Sequence, residues 1–494
     1  AALSLAPWDQ VWASSSRSRG KDLYSLLAAA GARNGVPRLF VPGIAWDSRG
    51  VRPGDLFFAL PGARCDGHDF IPEAIAKGAV AVIGERELPD LPVPYVRVPD
   101  AREALGKISA AFWGHPTRRL LTIGVTGTDG KTTVVHLLGQ LLPGCETLTT
   151  IRVEREGLSC VTTPEAPEIQ RIAAAALAAG RRYFALEASS IGLARKRLVG
   201  TEFRVGALTN VSRDHLDFHG TLERYLEAKL TLFRTLPPEG WAVVNAGSPY
   251  AERFLGSTEA NPLTYGLREG DVHAEGIKEM RWGIEFVLVT PRGRVRVRLP
   301  FPGRFNLENA LAAATVAHAL GIPPRKIADS LSRARLPEGR FMRLRMRNGA
   351  LAVVDYAHTP RALEAVLSTL RPRARELIVV FGAPGESDPG KRPLMGKAVG
   401  EYADLAIVTS DNPKGEDPAE IAVAVARGLE EAGAAYEVEL DRELAIRRAL
   451  EASGPGDIVL VAGKGHEKHQ VIGGRLIPHS DIECLQRLGC TPCT

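Results

Sequence analysis

The stretch RLLTIGVTGTDGKTTVVHLLGQLL, residues 119–142, decides the fold. An apolar run is followed by a turn with glycines at 124, 127 and 130, then by Lys131-Thr132-Thr133 and a helix-like apolar segment. Glycines let the backbone turn tightly, so that its N–H groups and the helix N-terminus face an anion while the lysine adds positive charge. The spacing GxxGxxGKT is one residue longer than the standard phosphate-loop pattern, which places a glycine where this chain has Val125. A strand before the turn and a helix after it still make a phosphate site the expected reading, with Thr132 able to offer its hydroxyl to magnesium.

Outward from this loop, RYFALEASS (182–190), RVGALTNV and GWAVVNA read as further strands, the pattern of a parallel sheet with helical crossovers. Glu187 ends the first of them on the carboxyl side, where open α/β sheets bind ligands, and a carboxylate there suits a metal. The segment TNVSRDHLDFHGTLERYLEAKLTLF (209–233) places His215 and His219 around a turn, then a helix with Glu227 and Lys229. A lysine on such a helix is ordinarily solvated.

The residues before about 115 alternate short apolar segments (DLFFAL, AVAVIG, PYVRV) with turns, as in a small mixed domain. From Pro337 the segments LAVVDYA, ELIVVFGA, DLAIVTSD and DIVLVAGKG, separated mostly by helical patterns, read as a second, Rossmann-like open sheet. The expected architecture is therefore α/β in three domains: 1–115, 116–336 and 337–494.

The chain has 494 residues, 45% hydrophobic and 24% charged, with a net charge of +5. That balance suits a polyanionic small molecule better than nucleic acid. No apolar run is long enough to span a membrane, and AALSLAPWDQ at the N-terminus lacks the pattern of a secretory leader, so a cytoplasmic protein is expected. Cysteines 65, 145, 160, 484, 490 and 493 are too scattered for a disulfide framework.

The motifs DSRGVRPGDLFFALPGARCDGHDFI (47–71), GVTGTDGKTT, TTPEA (162–166), LEASS, TNVSRDHLDFHG, YLEAK, PGRFNLENALAA (302–313), VVDYAHTP (353–360), GKRPLMG (390–396), SDNPKGEDP (410–418) and AGKGHE (462–467) occur in an order that resembles the Mur ligases. Within them the chain is similar to the MurE branch, which adds the third, dibasic residue of the peptidoglycan stem peptide. The resemblance implies a UDP-binding domain, a central ATPase domain and a C-terminal domain that brings the amino acid. It implies that ATP and magnesium activate the D-glutamate side-chain carboxylate of UDP-MurNAc-L-Ala-D-Glu as an acyl phosphate, which an incoming amine then attacks.

In that frame Gly127, Thr128, Gly130, Lys131, Thr132 and Thr133 hold the phosphates of ATP, and Asn306, Asn309, Arg340 and Asp355 contact adenine, ribose or phosphate. Thr132, Glu187, His215 and Lys229 serve the metal ions. An ammonium cannot ligate a cation, and the resemblance implies that Lys229 is carbamylated. Ser48 lies near the uracil, with Thr162, Thr163, Ser189 and Arg197 around the muramoyl peptide. Asp411, Asn412, Lys414, Gly463 and Glu467 form the amino-acid pocket.

Asp129, Ile191 and Met342 depart from the family pattern, as do Ser387 and Lys414 where arginines are usual. Lysine gives a point charge instead of a planar two-point grip, so meso-diaminopimelate is favoured only slightly over L-lysine or L-ornithine. A monomer is expected. The competing readings are a different amide ligase such as a folate-extending one, a non-catalytic nucleotide-binding homologue, and a phosphate-loop kinase.

Overall fold

The computed structural model describes residues 21–32, 38–62, 65–158 and 162–493. The N-terminal decapeptide and Cys160 lie outside them. The other five cysteines are free. By its contacts the chain divides into two compact units: one holds residues 1–124, 144–204 and 235–237, the other 125–143, 205–234 and 238–494.

In the first unit a four-stranded parallel sheet runs Ile44–Ala45, Leu56–Phe58, Ala81–Gly84, Tyr95–Arg97. All three residues of LFF and all four of AVIG are buried, as expected of a strand covered on both faces. The helices Leu23–Ala29 and Ala101–Phe112 bury Leu23, Leu26, Leu105 and Ile108 against one face with Phe58 and Ile83; Ile71 and Ala74 pack on the other with Phe57 and Val82. Each of these two helices starts at an aspartate, Asp22 or Asp100, whose carboxylate accepts a first-turn N–H. The same unit contains the parallel pair Cys145–Leu148 and Tyr183–Glu187.

In the second unit Val205–Leu208, Trp241–Asn245 and Asn261–Gly266 are parallel neighbours. The all-parallel sheet expected from sequence is extended by Val272–Glu279, Ile284–Thr290 and Gly293–Leu299, the last two pairings antiparallel. Their alternation of buried and half-exposed residues, clearest in IEFVLVT, is that of a sheet with one wetter face.

The C-terminal block forms a seven-stranded sheet in the order Tyr436–Val438, Leu405–Val408, Leu377–Phe381, Ile458–Ala462, Leu351–Asp355, Met342–Arg345, Thr491–Pro492. Its first five strands are parallel, and Met342–Arg345 pairs antiparallel on both sides. Val353, Val379, Phe381 and Leu460 pack one way with Leu363, Leu367 and Val425, while Val354, Val380 and Val461 pack the other way with Ile446 and Leu485. Two covered faces make these strands continuous apolar runs. The loops at their carboxyl ends gather the motifs of this block, as open α/β sheets do.

Candidate functional site

The strand Leu121–Thr126 leads through residues 127–130 into the helix Lys131–Leu141. Gly127 and Gly130 hold φ values of 145° and 88°. A Cβ on Gly127 would lie 1.8 Å from Thr209 Oγ1, and one on Gly130 2.3 Å from Asn309 Oδ1. Only glycine fits either place. Asn210 Oδ1 accepts from Asp129 N at 3.0 Å and Thr209 Oγ1 donates to Asp129 O at 2.6 Å, which pins the turn to the end of the next strand. Thr128 Oγ1 lies 3.0 Å from the Tyr225 hydroxyl. Lys131 Nζ folds back onto the carbonyls of Gly127 and Thr128, at 2.9 and 2.8 Å. Thr132 and Thr133 are buried in the first helical turn.

Lys229 is the departure from what its helix suggests. It is 1% exposed, donates to Gly127 O at 2.8 Å, and lies 4.1 Å from the Tyr225 ring centroid. Burial, followed by the nearby Lys131 charge, drives its pKa well below that of a free lysine. His215, with a left-handed φ of 53°, begins the turn Leu216–His219. Burial and three neighbouring lysines lower its pKa to about 4 despite Asp214, leaving the neutral imidazole that binds metals. His219 packs on Tyr225 and Phe218.

Around the loop, Arg340 donates to Thr132 Oγ1 at 3.3 Å and stacks 4.3 Å from the Tyr356 ring centroid. Asn306 Nδ2 donates to Pro302 O at 2.8 Å, at the start of the helix Arg304–Ala319, which also carries Asn309. Asp355 is buried and accepts the amides of Phe341 and Ala357 at 2.7 and 2.8 Å, so it organises both neighbouring segments.

Two ion pairs near His215 escaped the sequence reading. Asp214 and Lys391 form a buried pair at 3.3 Å, and Arg213 grips Asp388 at 2.8 and 3.2 Å. Lys391 and Arg213 both lie inside the motifs GKRPLMG and TNVSRDHLDFHG, but nothing in their spacing named their partners.

The amino-acid motifs also converge. Asn412 Nδ2 donates to Glu467 Oε2 at 2.9 Å, and Lys464 Nζ reaches Asn412 Oδ1 at 2.9 Å and Glu467 Oε2 at 2.6 Å. Lys464, unnamed at the sequence level, is fully buried. Gly463 at φ 112° passes so close to Asp411 that a Cβ would stand 2.4 Å from Oδ2. That buried oxygen has no hydrogen-bond partner. Lys414, at φ 54°, exchanges backbone hydrogen bonds with Val471 and Gly473 at 2.8 and 2.6 Å.

In the other unit, Glu187 is 2% exposed and accepts Thr150 N at 2.7 Å and its hydroxyl at 3.2 Å. Thr163 Oγ1 donates to Glu187 O at 2.8 Å and lies 2.8 Å from Ser189 Oγ, which caps the helix Ser190–Ala194. Arg197 donates to Thr163 O at 3.0 Å and Glu165 at 2.9 Å. Thr163, Ser189, Arg197 and Glu187 thus form one cluster, with Thr162 adjacent in sequence. Ser48 stands apart from it, donating to Glu73 at 3.0 Å.

Among the described residues no three histidines, cysteines or carboxylates gather as a ready metal site. As an ammonium, Lys229 would repel a cation. As an uncharged amine that has taken up carbon dioxide, it would present an anionic oxygen beside the loop, and with neutral His215 and the Thr132 hydroxyl the donor set then fits magnesium.

Three family descriptions match the chain in order: Mur ligase family, catalytic domain, over 41–113; Mur ligase middle domain over 125–317; and Mur ligase, glutamate ligase domain, over 339–465. The chain is 37% identical over 464 residues to the "UDP-N-acetylmuramoyl-L-alanyl-D-glutamate--2,6-diaminopimelate ligase" of Caldanaerobacter subterraneus subsp. tengcongensis, covering 92% of this chain and 96% of that one. It is 42% identical over 474 residues to the protein of the same name from Gloeobacter violaceus, covering 93% and 96%. A solved structure of a ligase with that name superposes with a TM-score of 0.65 at 33% identity, covering 94% of this chain and 98% of the other. MurF from Acinetobacter baumannii, at 23% identity and TM-score 0.68 over 90% and 96%, shares the fold.

Proposed function

We propose that this chain, which belongs to the Mur ligase family, joins a dibasic amino acid to the D-glutamate side chain of UDP-MurNAc-L-Ala-D-Glu at the expense of ATP. Relatives named as diaminopimelate ligases favour meso-diaminopimelate as that amino acid. The segments 1–115, 116–336 and 337–494 are read as the nucleotide-sugar, ATP and amino-acid domains.

The chemistry asks for charge control. A D-glutamate carboxylate oxygen attacks the γ-phosphorus of ATP, the bond to the β-γ bridging oxygen breaks, and ADP leaves. The amine then attacks the acyl carbon, phosphate departs with the C–O bond, and the amine loses a proton. Both reactants of the first step are anions, so positioned cations and N–H groups supply most of the catalysis. Lys131 and the amides of 127–133 hold the β- and γ-phosphates. Asn306, Asn309, Arg340 and Asp355 orient the nucleoside end. Thr132, His215 and carbamylated Lys229 would hold magnesium, and the chemistry it would supply is positive charge against the phosphate oxygens. Thr162, Thr163, Ser189 and Arg197 present the acceptor carboxylate, and Ser48 holds the uridine end.

In the amino-acid pocket Glu467 faces an ammonium, its Oε2 held by Asn412 and Lys464 and its Oε1 also accepting from the Tyr356 hydroxyl at 3.4 Å. Lys414 supplies a positive charge to a distal carboxylate.

The observation that carries this reading is Lys229, buried against the phosphate-loop carbonyl with its pKa lowered. A simple nucleotide binder or kinase does not need an uncharged lysine there. The test is phosphate release from ATP and UDP-MurNAc-L-Ala-D-Glu with meso-diaminopimelate, L-lysine or L-ornithine in separate reactions. Release that depends on one amino acid supports the ligase and identifies its substrate; release stimulated by none overturns it. Among the described residues no helix is long and apolar enough to cross a membrane.

A further inference from the structure

Arg442 and Asp481 are both fully buried as side chains. Neither belongs to any motif used above. They lie at the first positions of two helices, Arg442–Ala452 and Asp481–Arg487, and meet through two parallel hydrogen bonds, Arg442 Nε to Oδ1 and Nη2 to Oδ2, both 2.8 Å. The guanidinium does not stop at this partner. Nη2 also donates to Ala462 O at 2.9 Å and Nη1 to Ser410 O at 3.3 Å.

Those two carbonyls immediately precede Gly463 and Asp411, the residues at which the two amino-acid loops begin. Gln470 donates to the same Ser410 carbonyl at 3.2 Å and to Asp411 O at 2.8 Å. His479 Nε2 lies 2.9 Å from Asp481 Oδ1 and closes the remaining side of the carboxylate. A buried ion pair is weak evidence of stabilisation, because desolvation offsets its attraction. A planar fork that joins two strand ends is better explained by what it aligns.

We propose that Arg442, held by Asp481, is a positioning residue for the dibasic amino acid: it sets the separation of the 411–414 and 463–467 loops, and through them the grip of Asn412, Lys414 and Glu467 on the substrate. This inference rests on the amino-acid pocket assigned above.

The test uses the full chain with two variants, Arg442→Lys and the double change Arg442→Met with Asp481→Leu. The double variant removes both buried charges together, which is commonly tolerated by the fold. In each, KM for the dibasic amino acid is expected to rise about tenfold, the size of one lost charge-assisted hydrogen bond, with KM for ATP within about twofold. Amide exchange at 411–414 and 463–467 is expected to accelerate while the strands Leu351–Asp355 and Leu377–Phe381 keep their protection. Equal rises in both KM values, or unchanged exchange in the two loops of a folded variant, would overturn the proposal. The exchange measurement needs no substrate, so it separates failure of this inference from failure of the ligase reading.

Discussion

Lys229 and Lys131 donate to the same oxygen, the carbonyl of Gly127, at 2.8 and 2.9 Å. Two ammonium groups on one carbonyl, one of them fully enclosed, are a costly arrangement unless one gives up its proton. The uncharged Lys229 is then a nucleophile toward carbon dioxide. Lys229→Ala is expected to lower kcat by a factor of about a hundred to a thousand, the scale for removing one positioned electrostatic group. In the wild-type chain, 13C-bicarbonate is expected to give a carbamate resonance that this variant lacks.

Gly127→Ala and Gly130→Ala test the loop itself. Each forces a Cβ into Thr209 or Asn309 at a positive φ. Loss of about 1–3 kcal/mol of stability is expected from the strained backbone, along with a raised KM for ATP. Thermal melts and ATP titration of the two variants check both effects.

The Lys414 prediction concerns specificity. If its charge faces a distal carboxylate, Lys414→Arg offers a two-point grip and is expected to lower KM for meso-diaminopimelate by up to about tenfold, leaving L-lysine unaffected. Lys414→Glu is expected to reverse the preference. Steady-state kinetics with both amino acids decides it.

Glu168 gives a pH signature. Burial, aided by Glu165 and opposed by Arg171 and Arg197, raises its pKa from 4.5 to about 7. Its folded form therefore holds a proton that the unfolded chain has released. This contribution is present below about pH 4.5 and is lost as the pH rises toward 7, a change of at most about 3 kcal/mol. Glu168→Gln is expected to flatten that part of the stability profile in denaturant titrations at several pH values.

Much of this was legible in the chain. The strand, glycine turn and helix at 119–142 appear as read, and so do the four C-terminal strands, because strands covered on two faces are written as continuous apolar runs. The strands Val272–Glu279 and Gly293–Leu299 were not read, since half-exposed strands such as GRVRVRL carry as many charges as apolar residues. Burial of Lys229 was opposite to what a helix lysine suggests and followed from resemblance alone. Arg442 and Asp481 stand 39 positions apart. Isolated charges at helix starts look like solvated caps until the fold brings them together.

The most direct measurement of the central claim follows oxygen. With 18O in the D-glutamate side-chain carboxylate of UDP-MurNAc-L-Ala-D-Glu, ligation through an acyl phosphate transfers one labelled oxygen into each phosphate released. Labelled phosphate, formed only when the dibasic amino acid is present, is the predicted result. Unlabelled phosphate would mean that water, not the carboxylate, receives the γ-phosphoryl group, and would contradict the account.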